Sequence, residues 1–156
     1  MNFEELKAAL DLPTKEQQCD WHRHQNADGS LGGWQHRDTE IGQGVFLHEE
    51  AAVGKGVRIG DGAYVGIFTT IGNNAFIGPR SVIGNLSNVD PGARVGANVS
   101  VGSQSRILST AVIEDGRNIP DQSVVDGELI RLRLENGGAS PVILHSDRQQ
   151  ITEQYR

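Results

Sequence analysis

Across Ile59-Gly60-Asp61-Gly62-Ala63-Tyr64-Val65-Gly66-Ile67-Phe68-Thr69-Thr70-Ile71-Gly72-Asn73-Asn74-Ala75-Phe76-Ile77-Gly78, a branched aliphatic returns at every sixth position. Followed outward, the column runs without a break from Ile41 to Val125, fifteen positions that are all Ile, Val or Leu. Four residues after each aliphatic lies a column of small residues, Ala, Val, Ser or Thr at thirteen of fourteen places, with Arg117 the exception. Glycine directly follows the aliphatic nine times, and turn pairs such as Asp61-Gly62, Asn73-Asn74, Pro91-Gly92 and Asp115-Gly116 fall between the columns. A period of six does not track the helical 3.6, and each interior glycine weakens a helix by about 1 kcal/mol. A single strand of this length lies far outside the usual range. The pattern therefore predicts short strands joined by tight corners, with the aliphatics stacked inward and glycine serving permissive dihedrals and close backbone approach.

Composition agrees. The 156 residues include 20 glycines, about 13% against a usual share of about 7%, but only eight aromatics. The length favours one domain. A net charge of −6 argues against general nucleic-acid binding, which needs a basic surface. No apolar run has the length of a membrane span, and no signal-like segment follows Met1. One cysteine, Cys19, excludes an internal disulfide framework and points to a reducing compartment, the cytoplasm by default.

Residues 41–126 resemble the hexapeptide-repeat family. The resemblance implies an all-β fold, a left-handed parallel β-helix with three hexads in each 18-residue coil, here about 4.7 coils. At a strand spacing near 4.8 Å the prism would stand about 22 Å tall. The expected organisation is an N-terminal helix and irregular cap over 1–34, the β-helix over 35–126, and a C-terminal hairpin and tail over 127–156. Residues 3–10 place Phe3, Leu6 and Leu10 on one face of a short helix. Residues 130–134 and 142–144 read as an antiparallel hairpin. Both flanks are expected to cover the open ends of the coil. The lead-in Gly32-Gly33-Trp34 is similar to one in bacterial and phage hexapeptide proteins.

Stacking by 18 turns the outer surface into columns. Phe46, Tyr64 and Val82 fall in one, and Phe68 and Leu86 share the next corner, where a solvated turn would be polar. These five form the candidate subunit interface or ligand groove. The resemblance implies a homotrimer, with the chain's partners being itself and an unidentified protein or small molecule. Acyltransferases of the family build active sites between subunits around a histidine base, which makes His48, beside Phe46 and Tyr64, the catalytic candidate and acetyl-CoA the cofactor if that activity holds. His48 sits directly after the aliphatic, unlike the usual catalytic placement, and no loop interrupts the coils. Two functions are thus expected: a non-enzymatic trimeric binding or structural module, or acyl transfer from an acyl-CoA.

Metal readings are thinner. The γ-carbonic-anhydrase branch of the fold needs converging imidazoles, and His48 is the lone histidine of the repeats. Cys19, His22, His24 and His36 have donor types that suit zinc but not a zinc-site spacing, so no metal is assigned. On another column Arg58 and Arg94 flank Phe76, in reach of cation–π contacts or of an anion.

Overall fold

The computed structural model describes residues 1–129 and 143–144. Helix α1 (Phe3–Leu10) is followed by strands β1 (Trp21–Gln25) and β2 (Leu31–His36), which pair antiparallel. Then β3 (Glu40–Ile41), β4 (Phe46–Leu47) and β5 (Ala52–Val53) make the first coil. Two-residue strands recur every six residues from there to Val124–Val125. Through Arg106–Ile107 each pairs in parallel with the strand 18 residues on, as in Leu47 with Val65 and Val65 with Ile83. The product is a parallel β-helix of about 5 turns, consistent with the expected left hand.

Its three sheets are named here for what they carry outside. The hairpin sheet holds β5 and takes in β1 and β2, the ridge sheet begins with β4, and the arginine sheet begins with β3. Fourteen of the fifteen column aliphatics are buried in one core, with Ile41 at the end partly buried. Burying such side chains contributes about 1.5–3 kcal/mol each, so the prism holds together without aromatics inside.

The small column does more than let the chain turn. The buried hydroxyls of Thr39, Thr69, Ser81, Ser87 and Ser105 each donate to a carbonyl 15 residues on. Thr69, Ser81, Ser87 and Ser105 also accept the backbone N–H 18 residues on. Buried polar groups are thereby satisfied from coil to coil. The nine glycines after the aliphatics serve close approach alone, since none has positive φ. At Gly66 a Cβ would press on the Asn85 side-chain oxygen and on the Asn85 backbone nitrogen, 2.9 Å away. That oxygen accepts the Ile67 N–H at 3.0 Å. The same pairing joins Asp61 to Gln43, Asn73 to Lys55, Asp115 to Ala97 and Asp121 to Ser103. Within the coils, left-handed backbone is confined to the corners.

The N-terminal segment departs from expectation twice. The stretch expected to be irregular contains the β1–β2 hairpin, closed by a turn in which the Asp28 carboxylate accepts from the Ser30 hydroxyl and N–H. The helix does not cover the coil end. Leu6 packs with Trp21 and Ala52, and Ala52 faces outward from the first coil, so α1 lies against the side of the prism. The hairpin crosses the end instead. At the other terminus, the hairpin expected over 130–144 lies outside the described residues except for Ile143–Leu144, whose backbone pairs in parallel with Val124–Val125.

Candidate functional site

Register alone puts Phe46 beneath Tyr64 and Tyr64 beneath Val82 on the outer face of the ridge sheet. The Phe46 and Tyr64 rings stack with centroids 5.3 Å apart and planes 6° apart. Their faces are turned on each other, so the pair presents ring edges outward. At the corner that follows, Phe68 and Leu86 stand 54% and 55% exposed, and Tyr64 and Val82 are exposed as well. Phe46, Tyr64 and Val82 thus share the outer face of this sheet, and with Phe68 and Leu86 at the corner that follows they make up the ridge.

Two of them sit in an unfavourable backbone region. Phe68 and Leu86 have φ of 54° and 57°. At other corners the equivalent position is Gly44, Gly56, Gly62, Asn74, Arg80, Gly92, Asn98, Gln104, Gly116 or Gln122, also at positive φ. Left-handed backbone costs a residue with a Cβ about 1 kcal/mol, and glycine avoids that cost. Large apolar groups are thus held exposed at positions where their backbone disfavours them, the combination that marks functional surfaces elsewhere.

His48 lies at the foot of the ridge, half-buried. Its Nδ1 is 3.4 Å from the Glu50 N–H, a long contact that folds the ring toward its own corner. With Nδ1 accepting, the neutral ring carries its proton on Nε2.

The four thiol and imidazole candidates near the N-terminus are not brought together. Trp21 faces His36 and His22 faces Gln35 across the hairpin, which puts His36 on the opposite face from His22 and His24. Cys19 and His22 are exposed, and both His24 nitrogens are engaged, with the Gln35 side chain at 2.9 Å and the Val45 carbonyl at 3.2 Å. His36 instead joins Glu16 and Asp20, with one donor atom from each within 4.8 Å of the others. That cluster is already supplied with protons. Glu16 accepts from Lys55 Nζ at 2.8 Å and from Trp21 Nε1 at 3.0 Å, while His36 Nδ1 accepts the Asp38 N–H at 3.1 Å. A metal there would have to displace the ammonium and find Nε2 bare. The Lys55 hydrogen bond is also what holds the Glu16 carboxyl below its ordinary pKa, against a smaller opposing effect of burial. Nothing in the sequence links Glu16 to Lys55, 39 residues apart.

On the arginine sheet the expected column forms. Arg94 lies over the Phe76 ring at 5.3 Å, and Arg58 pairs with Glu40 at 3.3 Å. Shallow grooves run on either side of Phe76, one along Arg94 and Val112, the other along Glu40 and Arg58. The Arg58–Glu40 pair is exposed on both sides and worth at most about 1 kcal/mol.

Period, coil length and burial together define the class, a β-helix built of hexapeptide repeats. No protein-family model and no curated protein matches the chain. Among solved structures it is similar to a variant of perosamine N-acetyltransferase from Caulobacter crescentus, crystallised with CoA and GDP-perosamine. Identity is 19%, the TM-score is 0.41, and the match covers 56% of this chain. The chain spans about half the length of that enzyme, 46%. No helix among the described residues is long and apolar enough to cross a membrane.

Proposed function

We propose that the protein is a homotrimeric β-helix that serves as a binding or structural module, its copies joined through the ridge. The observation that carries this reading is the placing of Phe68 and Leu86, exposed and at positive φ, in line with the Phe46–Tyr64 stack. Exposed apolar groups of this kind call for a covering partner, and a second copy of the chain is one of matching length and repeat. The number three comes from the hexapeptide resemblance, and a closed ring of copies would bury every ridge. Light scattering tests it: a particle of three times the chain's 16.9 kDa is expected, and a stable monomer would overturn it.

A second reading is acyl transfer from acetyl-CoA with His48 as general base. In its favour are the half-buried imidazole at the foot of the ridge and the CoA named for the solved enzyme. The hydrogen-bonded Nδ1 and the uninterrupted coils weigh for the module. Calorimetry with millimolar acetyl-CoA separates the two. No heat of binding supports the module. Saturable binding with turnover that His48→Ala abolishes in an intact trimer supports the transferase.

A further inference from the structure

The two grooves beside Phe76 differ in how their charges are met. In the one along Glu40 and Arg58, the two charges pair with each other at 3.3 Å. The other runs along Phe76, Arg94 and Val112 to the corner at Glu114 and Asp115, with a volume of about 550 Å³ that falls in the usual range for a small-molecule site. Its Glu114 carboxylate accepts from Arg117 Nη2 at 2.9 Å. Arg94 and Asp115 have no ionic partner among the described residues, and no ion pair joins them. Arg94 has only the Phe76 ring, at 5.3 Å, and a cation–π contact leaves the guanidinium N–H groups free to take a carboxylate. Asp115 Oδ1 accepts the Ala97 N–H at 2.8 Å, while Oδ2 is unengaged among the described residues. Register sets Arg94 between Phe76 and Val112. Gly96 lets the Asp115 corner close in, since a Cβ there would stand 2.7 Å from the Asp115 nitrogen.

We propose that this groove binds a small apolar zwitterion of the amino-acid class, an α-amino acid or a dipeptide. Its carboxylate meets Arg94, its ammonium meets Asp115 Oδ2, and its apolar side chain lies along Phe76 and the exposed Val112. An anion alone would satisfy Arg94 but face the Glu114 and Asp115 carboxylates, and a cation alone would face Arg94. A ligand carrying both signs completes the two charges that the chain leaves unpaired. None of the ridge side chains lines the groove, so the site stands apart from the proposed assembly.

The test is calorimetry with leucine and with leucyl-leucine, each beside its N-acetylated form, which lacks the ammonium, and its C-amidated form, which lacks the carboxylate. At least one of the two zwitterions is expected to bind saturably at millimolar concentration, and which one binds tells amino acid from dipeptide. Either cap should weaken that binding about tenfold. Arg94→Gln and Asp115→Asn should each weaken it by a similar factor, and the asparagine keeps Oδ1 for the Ala97 N–H. The capped ligands test both charges on the wild-type chain, whatever a variant does to the fold. No saturable binding of either zwitterion overturns the proposal. So does a capped form that binds as tightly as its parent, or binding that both folded variants leave unchanged.

Discussion

Ser87 shows how single side chains tie one coil to the next. It is 2% exposed, and its hydroxyl donates to the Gly102 carbonyl at 3.0 Å while accepting the Ser105 N–H at 3.2 Å. Ser87→Ala keeps the volume nearly unchanged but leaves two buried backbone groups without that partner. The expected loss is about 1–3 kcal/mol, read as a lower midpoint in chemical denaturation with an unchanged slope. Gly66→Ala should cost a similar amount, about 1–3 kcal/mol, because the new methyl meets the Asn85 side chain and backbone. Thermal denaturation beside an alanine at Gly44 makes the contrast. A Cβ at Gly44 would come no closer than 4.0 Å to Gly62, so that alanine pays only for the positive φ of 71°. The sequence makes the inward aliphatics legible because hydrophobicity at a fixed period needs no knowledge of the coil. Partners 15 and 18 residues away become visible only once the coil is closed, which is why Ser87 reads in sequence as a small turn residue and no more.

Among the elements, α1 was readable in its bounds and not in its place. Phe3, Leu6 and Leu10 announce that the helix buries a face, but the face does not say whether it meets the end or the side of the prism. Asn26, whose side chain accepts the Leu47 N–H and donates to the Leu47 carbonyl, is hidden in the same way, since Asn-Ala-Asp-Gly-Ser looks like an ordinary turn. The segment between α1 and β1 is fastened to the coil by Glu16, whose side chain is 7% exposed and bridges Lys55 and Trp21. Its carboxyl has a lowered pKa, chiefly through the Lys55 hydrogen bond. The fastening is therefore complete above the ordinary carboxylate range, near 4.3, and is lost as pH falls through the lower folded value. Tryptophan fluorescence should report the release, because the Trp21 indole N–H is bonded to Glu16. Lys55→Met is expected to move that acid transition to higher pH. A transition left where the wild type has it would show that Lys55 does not hold the segment.

At the scale of the whole molecule, the three sides of the prism carry different surfaces. The hairpin sheet is covered at its first coil by α1, the arginine sheet sets Phe76 under Arg94 with Val112 exposed beyond, and the ridge sheet exposes Tyr64 and Val82 above a half-buried Phe46. An unbroken period of six gave this architecture and the outward position of every aromatic in the repeats. The strain at Phe68 and Leu86 lay beyond it, because backbone dihedrals follow from corner geometry rather than from residue type. That strain also supplies the most direct test of assembly through the ridge. Asparagine tolerates positive φ, as Asn74 and Asn98 do in neighbouring corners, so Phe68→Asn with Leu86→Asn should leave the coil as stable as before. Light scattering on this double variant, with circular dichroism to show the fold retained, is expected to give a folded monomer where the wild type gives a trimer. A double variant that still forms trimers, or a wild type that is already monomeric, would contradict assembly through the ridge.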